Sequence, residues 1–312
     1  MRILSAEDID AAAPVRDLLE TLRRAYRSQT IVPAPSRLAL QRPDGTGTLT
    51  LASAWTDFSG QGHSDRGYIG CSLMLDLPAG TASSAASQAA SPQAGAYLLF
   101  SGKTGQPIAL LDGVRLAQRR RAALCGLSAQ YLSREDSARL LVLSPPAFFP
   151  LIMQAYAAVR PIRSVLLEPT ETEMCRRLSA LPGLSHIDFR TSPELSSAAT
   201  GADIICVGEA AQEGDLSWLP FTADDLPEGV HLDLLGGTPD LVRALNDSAR
   251  IFQAETPEDP AAAGWEITAT FRELTRGEKA GRRFYGQTTV FHEGRMSGLG
   301  DFATAGHVFL RS

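Results

Sequence analysis

The hydrophobic and polar positions change their period twice along the chain. Near the start, Ser5 followed by Asp8 has the pattern of a helix capping box, and Val15, Leu18, Leu19, Leu22 and Tyr26 recur at steps of three and four. The chain is therefore predicted to open with short amphipathic helices. The period then falls to two. Leucines alternate from Arg37 to Gln41 and from Thr48 to Leu51, and Pro43-Asp44-Gly45 between them has turn chemistry, which predicts a hairpin. A further strand is expected from Tyr68 to Leu75. Another hairpin is expected from Tyr97 to Phe100 and Ile108 to Leu111, joined by Ser101-Gly102-Lys103-Thr104-Gly105. Residues 81 to 94 are a low-complexity Ala/Ser/Gln segment with nothing to bury, and read as a mobile loop. The first 113 residues thus predict helices packed on a mostly antiparallel sheet.

After Asp112-Gly113 strands and helices alternate. A helix is expected from Arg115 to Leu132, a buried strand from Arg139 to Leu143, a helix from Ala147 to Val159 and a strand from Ser164 to Leu167. Glu171 to Leu181 reads as helix, Ile187 to Arg190 as strand, Glu194 to Thr200 as a short helix, and Asp203 to Val207 and Val230 to Leu235 as strands. This order predicts an α/β fold with a Rossmann-type, doubly wound parallel sheet, preceded by an α+β domain. The expected domains are 1–113, with 286–312 returning to it through a helix around Asp301 to Gly306, and 114–285.

Composition narrows the class. A chain of 312 residues, 44% hydrophobic and 21% charged, has material for two full cores. Its net charge of −6 argues against a general nucleic-acid binder, which needs clustered Lys and Arg to displace counterions from phosphates. Cys71, Cys125, Cys175 and Cys206 are scattered without a CxxC pair, as expected of small reduced core residues. The five histidines are isolated, so no metal site is expected; His231, in an apolar run, reads as a core or subunit-contact residue. The start has no apolar signal core, and no run approaches the length of a membrane span. The expected location is the cytoplasm.

On the helix after Gly113, steps of three and four put Leu116, Arg120, Leu124, Leu127 and Tyr131 on one face. Arg120 thus lies in an apolar stripe, where a guanidinium must reach water or meet an anion. Two readings follow: a structural bridge to Asp112 or another carboxylate, or a receptor for a ligand carboxylate or phosphate, which the bidentate fork suits. Arg119 and Arg121 read as a solvated face.

Together these residues carry a resemblance. Pro35-Ser36-Arg37, the run Lys103 to Gly113, Arg120 before Ala122-Ala123, Gly201 to Ile205, Gly229-Val230-His231 leading to Gly236-Gly237, and Thr289-Val290-Phe291 with Gly300 to Ala305 stand in matching order and spacing. In these the chain resembles the ornithine cyclodeaminase/mu-crystallin family over nearly its whole length. The resemblance implies an N-terminal dimerisation and substrate domain, a Rossmann domain for NAD(P), and cyclodeamination or imine and amino-acid redox chemistry. It also implies that Arg37 and Arg120 hold a substrate carboxylate, and that the protein is a homodimer.

Three positions depart from the family pattern. Where the family has GxGxxA, this chain has Ser144-Pro145-Pro146-Ala147-Phe148-Phe149, in which two prolines supply no N–H and two phenylalanines add bulk. Ser72 stands in place of the substrate-site lysine, and Thr238 in place of the catalytic aspartate, with Asp240 two residues on. Glu168, at the end of the second strand of the repeat, keeps an acid where ribose hydroxyls are commonly met, so Ser144, Ala147 and Glu168 are the cofactor-site candidates.

Two functions are compatible with these residues. One is a degenerate family member, a pseudoenzyme that binds a small amino-acid-like carboxylate without ordinary ornithine cyclodeamination. The other is an active NAD(P)-dependent amino-acid or cyclic-imine enzyme with an altered cofactor loop. Nucleic-acid and membrane partners have no motif behind them.

Overall fold

The computed structural model describes the chain except residues 44, 60–66, 78–92, 209–215, 237–238, 257–263 and 295–296. It divides into two compact units, one of residues 1–120 with 296–312 and one of 121–295. The division falls inside a long helix, after Arg120.

Unit 1 begins with β1 (Arg2–Leu4), α1 (Ala6–Ala12) and α2 (Val15–Arg27). The expected capping box is formed, with the Ser5 hydroxyl accepting from the Asp8 amide and the Asp8 carboxylate accepting from the Ser5 amide. The α2 residues Leu18, Leu19, Leu22 and Tyr26 are buried, as their spacing predicts. The strands β2 (Thr30–Ile31), β3 (Ser36–Arg42), β4 (Gly45–Thr56), β5 (Tyr68–Asp76), β6 (Gln93–Ser101) and β7 (Pro107–Asp112) follow. They form a sheet in the order β1-β7-β6-β5-β4-β2, with β3 also on β4; all pairs are antiparallel except β1 with β7. The Ala/Ser/Gln segment is corrected at its end, where Gln93 and Ala94 belong to β6; residues 81–92 lie outside the described residues.

The sheet's two faces differ. Thr50, Ala52, Ala54, Gly70, Ser72, Met74, Tyr97 and Leu99 alternate onto one buried face, while Leu49, Leu51, Trp55, Ile69, Leu73 and Leu98 lie half-exposed on the other. The last helix, α9 (Gly298–Arg311), returns to this unit and packs on α2, β4 and β5.

Unit 2 contains the rest of α3 (Gly113–Leu132) and then β8 (Arg139–Leu143), α4 (Phe149–Val159), β9 (Ser164–Leu167), α5 (Thr172–Ser179), β10 (Asp188–Thr191), α6 (Leu195–Thr200) and β11 (Ile204–Val207). It continues with β12 (His231–Leu234), α7 (Pro239–Ala244), β13 (Arg250–Gln253), β14 (Ile267–Thr270), α8 (Phe271–Arg276) and β15 (Thr289–His292). All eight strands run parallel in the order β10-β9-β8-β11-β12-β15-β13-β14, the doubly wound arrangement that the alternation predicts. Two apolar cores cover the faces of this sheet: Val142, Phe149, Tyr156 and Val165 lie in one, and Leu141, Ile205, Leu232 and Val290 in the other.

The helix predicted from Ala147 starts two residues later. Ala147 and Phe148 form a turn that the Phe149 amide closes on the Pro146 carbonyl at 2.8 Å. The solvated face expected for Arg119 and Arg121 is also corrected. Every residue from Arg120 to Ala129 is buried, so this part of α3 has no wet side and its charges must be met internally.

Candidate functional site

The strand register places Arg37, Ser72 and Tyr97 on the same face of the unit 1 sheet. Arg37 is opposite Thr50, and Ser72 lies between Ala52 and Tyr97. Arg37 is exposed on β3, while Ser72 and Tyr97 are buried. Gly70, next to them, leaves room for Tyr97: a Cβ there would fall 2.1 Å from the phenolic oxygen and 3.0 Å from the Phe302 ring. Burial and the neighbouring Asp301 charge push the Tyr97 phenol well above its ordinary value, so it remains a hydrogen-bond donor.

Arg120 is fully buried, and its Nε donates to Asp301 Oδ1 at 3.0 Å. Of its two sequence readings, the partner carboxylate is thus found, but on α9. Asp112, the acid that the sequence offered first, instead accepts from the Arg115 amide at 2.8 Å and caps α3. Beyond the apolar stripe no local pattern announces this pairing, because the two residues are 181 positions apart.

The second group of candidates lies along the carboxyl edge of the parallel sheet in unit 2. In open α/β sheets that edge, at the reversal of strand order, is where ligands settle; here the reversal falls between β8 and β11. Ser144 follows β8 with φ +48°, a left-handed conformation that glycine takes at less cost. Gly208 follows β11 so closely that a Cβ would lie 1.6 Å from the Ser144 carbonyl oxygen.

The N–H groups of this loop are largely accounted for. Ser144 donates to Glu168 Oε2 at 2.6 Å. Pro145, Pro146 and Pro150 have none. The amides of Phe149 and Leu151 close turns on Pro146 and Phe148. Of the other two residues before α4, Ala147 is exposed and Phe148 is buried. Such a loop does not fit a diphosphate held by a row of amides, for which a glycine loop and a free helix N-terminus are needed. Glu168, half-buried at the end of β9, uses one oxygen to close the loop.

Arg121 and Glu293 were not foreseen as partners. Arg121 Nε donates to Glu293 Oε2 at 2.8 Å and Nη2 to the Leu235 carbonyl at 2.9 Å, and the guanidinium carbon lies 5.0 Å from the centre of the Phe148 ring. Asp240, at the start of α7, pairs with Arg243 one turn on at 2.5 Å, and Thr238 lies outside the described residues.

Beneath this edge is a buried polar cluster. Asp233 Oδ2 accepts from the Tyr156 hydroxyl at 2.5 Å, Oδ1 accepts from Ser128, and His231 Nε2 is 3.2 Å from Oδ1. His231 Nδ1 is 3.0 Å from the Thr289 hydroxyl, which itself donates to the Leu132 carbonyl. His231 is therefore the satisfied core residue that its apolar run suggested. No group of three metal-ligating side chains occurs among the described residues, and none of the described helices is long and apolar enough to cross a membrane.

Comparison with known proteins gives a consistent result. The model of the ornithine cyclodeaminase/mu-crystallin family matches residues 2–311. A Delta(1)-pyrroline-2-carboxylate reductase of Colwellia psychrerythraea is 25% identical over 240 residues, 76% of this chain and 70% of that protein. Protein SAR DEFICIENT 4 of Arabidopsis thaliana is 28% identical over 233 residues, covering 68% of this chain and 70% of its own. Among solved structures, the Delta(1)-pyrroline-2-carboxylate reductase of Thermococcus litoralis, in complex with NADH and L-proline, superposes with a TM-score of 0.80 at 19% identity over 100% of this chain and 97% of that one. The iminosuccinate reductase of Paracoccus denitrificans, with NAD+, gives 0.78 at 18% identity over 99% and 95%.

Proposed function

The chain belongs to the ornithine cyclodeaminase/mu-crystallin family, and from that premise we propose that it binds a small amino-acid-like carboxylate on the inner face of unit 1 and does not perform ordinary ornithine cyclodeamination. The observation that carries this is the common face of Arg37, Ser72 and Tyr97, with the Asp301 partner of Arg120 close enough to act on the Tyr97 phenol. Two guanidinium groups and a protonated phenol suit a carboxylate. A serine at position 72 supplies a hydroxyl but no ammonium, which removes the positive charge that a lysine there would set against the substrate. Asp240, already paired with Arg243, makes a poor replacement for a catalytic acid. In this reading the protein is a pseudoenzyme of the cytoplasm.

Calorimetric titration with L-proline, L-ornithine and pyrroline-2-carboxylate tests the reading. At least one should bind, and Arg37→Ala should weaken it about tenfold or more, as expected for a lost charge-assisted bond. No heat from any of the three at about 10 mM would refute it.

The second reading is an active NAD(P)-dependent reductase of a cyclic imine. It is favoured by the acid kept at Glu168 and by relatives named as pyrroline-carboxylate reductases. Oxidation of NADH dependent on pyrroline-2-carboxylate would select it. Ser72→Lys with Thr238→Asp would restore cyclodeamination only if the remainder of the site were intact.

The half-exposed apolar side of the unit 1 sheet supports a homodimer. Leu49, Leu51, Trp55, Ile69, Leu73 and Leu98 present a surface that water disfavours and a second copy could cover.

A further inference from the structure

The acid and base at the carboxyl edge of unit 2 have an unusual position. Arg121 is 8% exposed and Glu293 is fully buried. Leu235 stands one residue beyond β12, Glu293 one residue beyond β15, and Phe148 in the loop after β8. Since β8, β11, β12 and β15 are neighbours in that order, a guanidinium held by the ends of β12 and β15 and facing the β8 loop reaches across the end of β11. That is the mouth of the crevice in which a doubly wound sheet takes its ligand.

We infer that the Arg121–Glu293 ion pair fills this crevice and closes it to dinucleotides. Two features agree with such a role. The pair as a whole has no net charge, so it offers a diphosphate no net attraction, and the Glu293 carboxylate would face the phosphates with like charge. The donors Nε and Nη2 of Arg121 are occupied by Glu293 and Leu235, so this side of the guanidinium cannot serve a phosphate without giving up a buried partner. The strands at either side are already joined by their own ladders, so the pair is not needed to hold β12 on β15. A buried ion pair is costly to desolvate, and its place in the ligand crevice gives that cost a purpose.

Arg121 and Glu293 belong to unit 2, and the carboxylate proposed above binds in unit 1. Its test is titration of the full-length protein with NADH, followed by calorimetry and nicotinamide fluorescence. The wild-type protein should show no saturable binding up to about 1 mM. Glu293→Gln keeps the shape but removes the negative charge, leaving a positive guanidinium in the crevice, and should bind NADH at least about tenfold more tightly than wild type. Arg121→Ser with Glu293→Ser removes both charges together, so that neither is left buried alone, and opens the crevice by a second route. Circular dichroism shows which variants are folded. Binding by either folded variant, with none by the wild type, supports the inference. A wild-type Kd below about 1 mM, or no binding by both folded variants, overturns it. Neither overturning result touches the titration with amino and imino acids, so the two failures are distinguishable.

Discussion

Arg120 is the buried partner of Asp301 and, in the function proposed above, a receptor of a ligand carboxylate, and a mutant cycle separates the two. Replacing Arg120 by Met keeps most of the side-chain length but leaves the Asp301 carboxylate, 3% exposed, without its guanidinium. With Nε and Oδ1 3.0 Å apart, the charge centres are about 4 Å apart, which at an effective dielectric of about 20 is roughly 4 kcal/mol. Measured losses on breaking buried pairs fall in the same range, about 3–5 kcal/mol. For a unit of this size that lowers Tm by roughly 10–15 °C. Adding Asp301→Leu removes the orphaned charge and should recover most of the loss, because the isolated carboxylate rather than the missing contact dominates the cost. Urea denaturation of wild type, both single variants and the double variant gives the coupling energy, expected at about 2 kcal/mol or more. A loss under about 1 kcal/mol for Arg120→Met, additive with that of Asp301→Leu, would refute the structural role. Carboxylate binding measured on the folded double variant then reports the receptor role alone.

Three further outcomes follow from the packing. Burial alone would raise the Asp203 carboxyl, but bonds from Arg139 and from the amides of Ala138 and Arg139 outweigh it and hold the group below the usual carboxylate range. A depressed folded value gives stability that is present above the unfolded value, about 3.9, and lost as pH falls through the folded one, so Asp203→Asn should flatten the acid limb of the stability curve below about pH 4; an unchanged limb would count against this. Tyr156→Phe removes one of the donors to buried Asp233 and should cost about 1.5–3 kcal/mol in urea denaturation, and a cost near zero would show that the cluster does not depend on it. Leu51→Glu places a charge on the apolar side of the first sheet and should shift a dimer to monomer in light scattering; a wild-type monomer would remove the homodimer from the proposal.

The periodic parts of the chain were legible because their partners are local or repeat. The capping box at Ser5, the α2 stripe, the β3–β4 hairpin and the alternation of unit 2 are all patterns of a few residues. What escaped detection was short or set by distant contacts. β1 has three residues and becomes a strand only by pairing with β7, more than a hundred residues away. β13 and β14 have four residues each, too few for a period to declare itself. At the site, the prolines after β8 were readable as a missing amide cradle, and the spacing of Glu168 as a strand-end acid. That the Glu168 carboxylate would close the same loop by accepting from Ser144 required three dimensions.

The two neighbouring arginines show why charge in a sequence is harder to place than apolarity. An apolar residue needs only a face, and the spacing of Leu116, Leu124 and Leu127 announces one. A guanidinium needs one particular partner, and nothing in the period of α3 points to acids 172 and 181 residues away. Arg120 was suspect only because it interrupted the apolar stripe, whereas Arg121 looked like ordinary surface. Both are buried, and both are met by acids from the closing segment of the chain, Asp301 in unit 1 and Glu293 in unit 2. Because an unpaired buried charge costs so much, exchanging either arginine or its acid alone should cost more stability than exchanging the two together, at 120 with 301 and at 121 with 293. The same reasoning gives the difference between the units. In unit 1 the acid that meets Arg120 also acts on the Tyr97 phenol, whereas in unit 2 the acid that meets Arg121 stands one residue beyond β15, at the carboxyl edge of the parallel sheet.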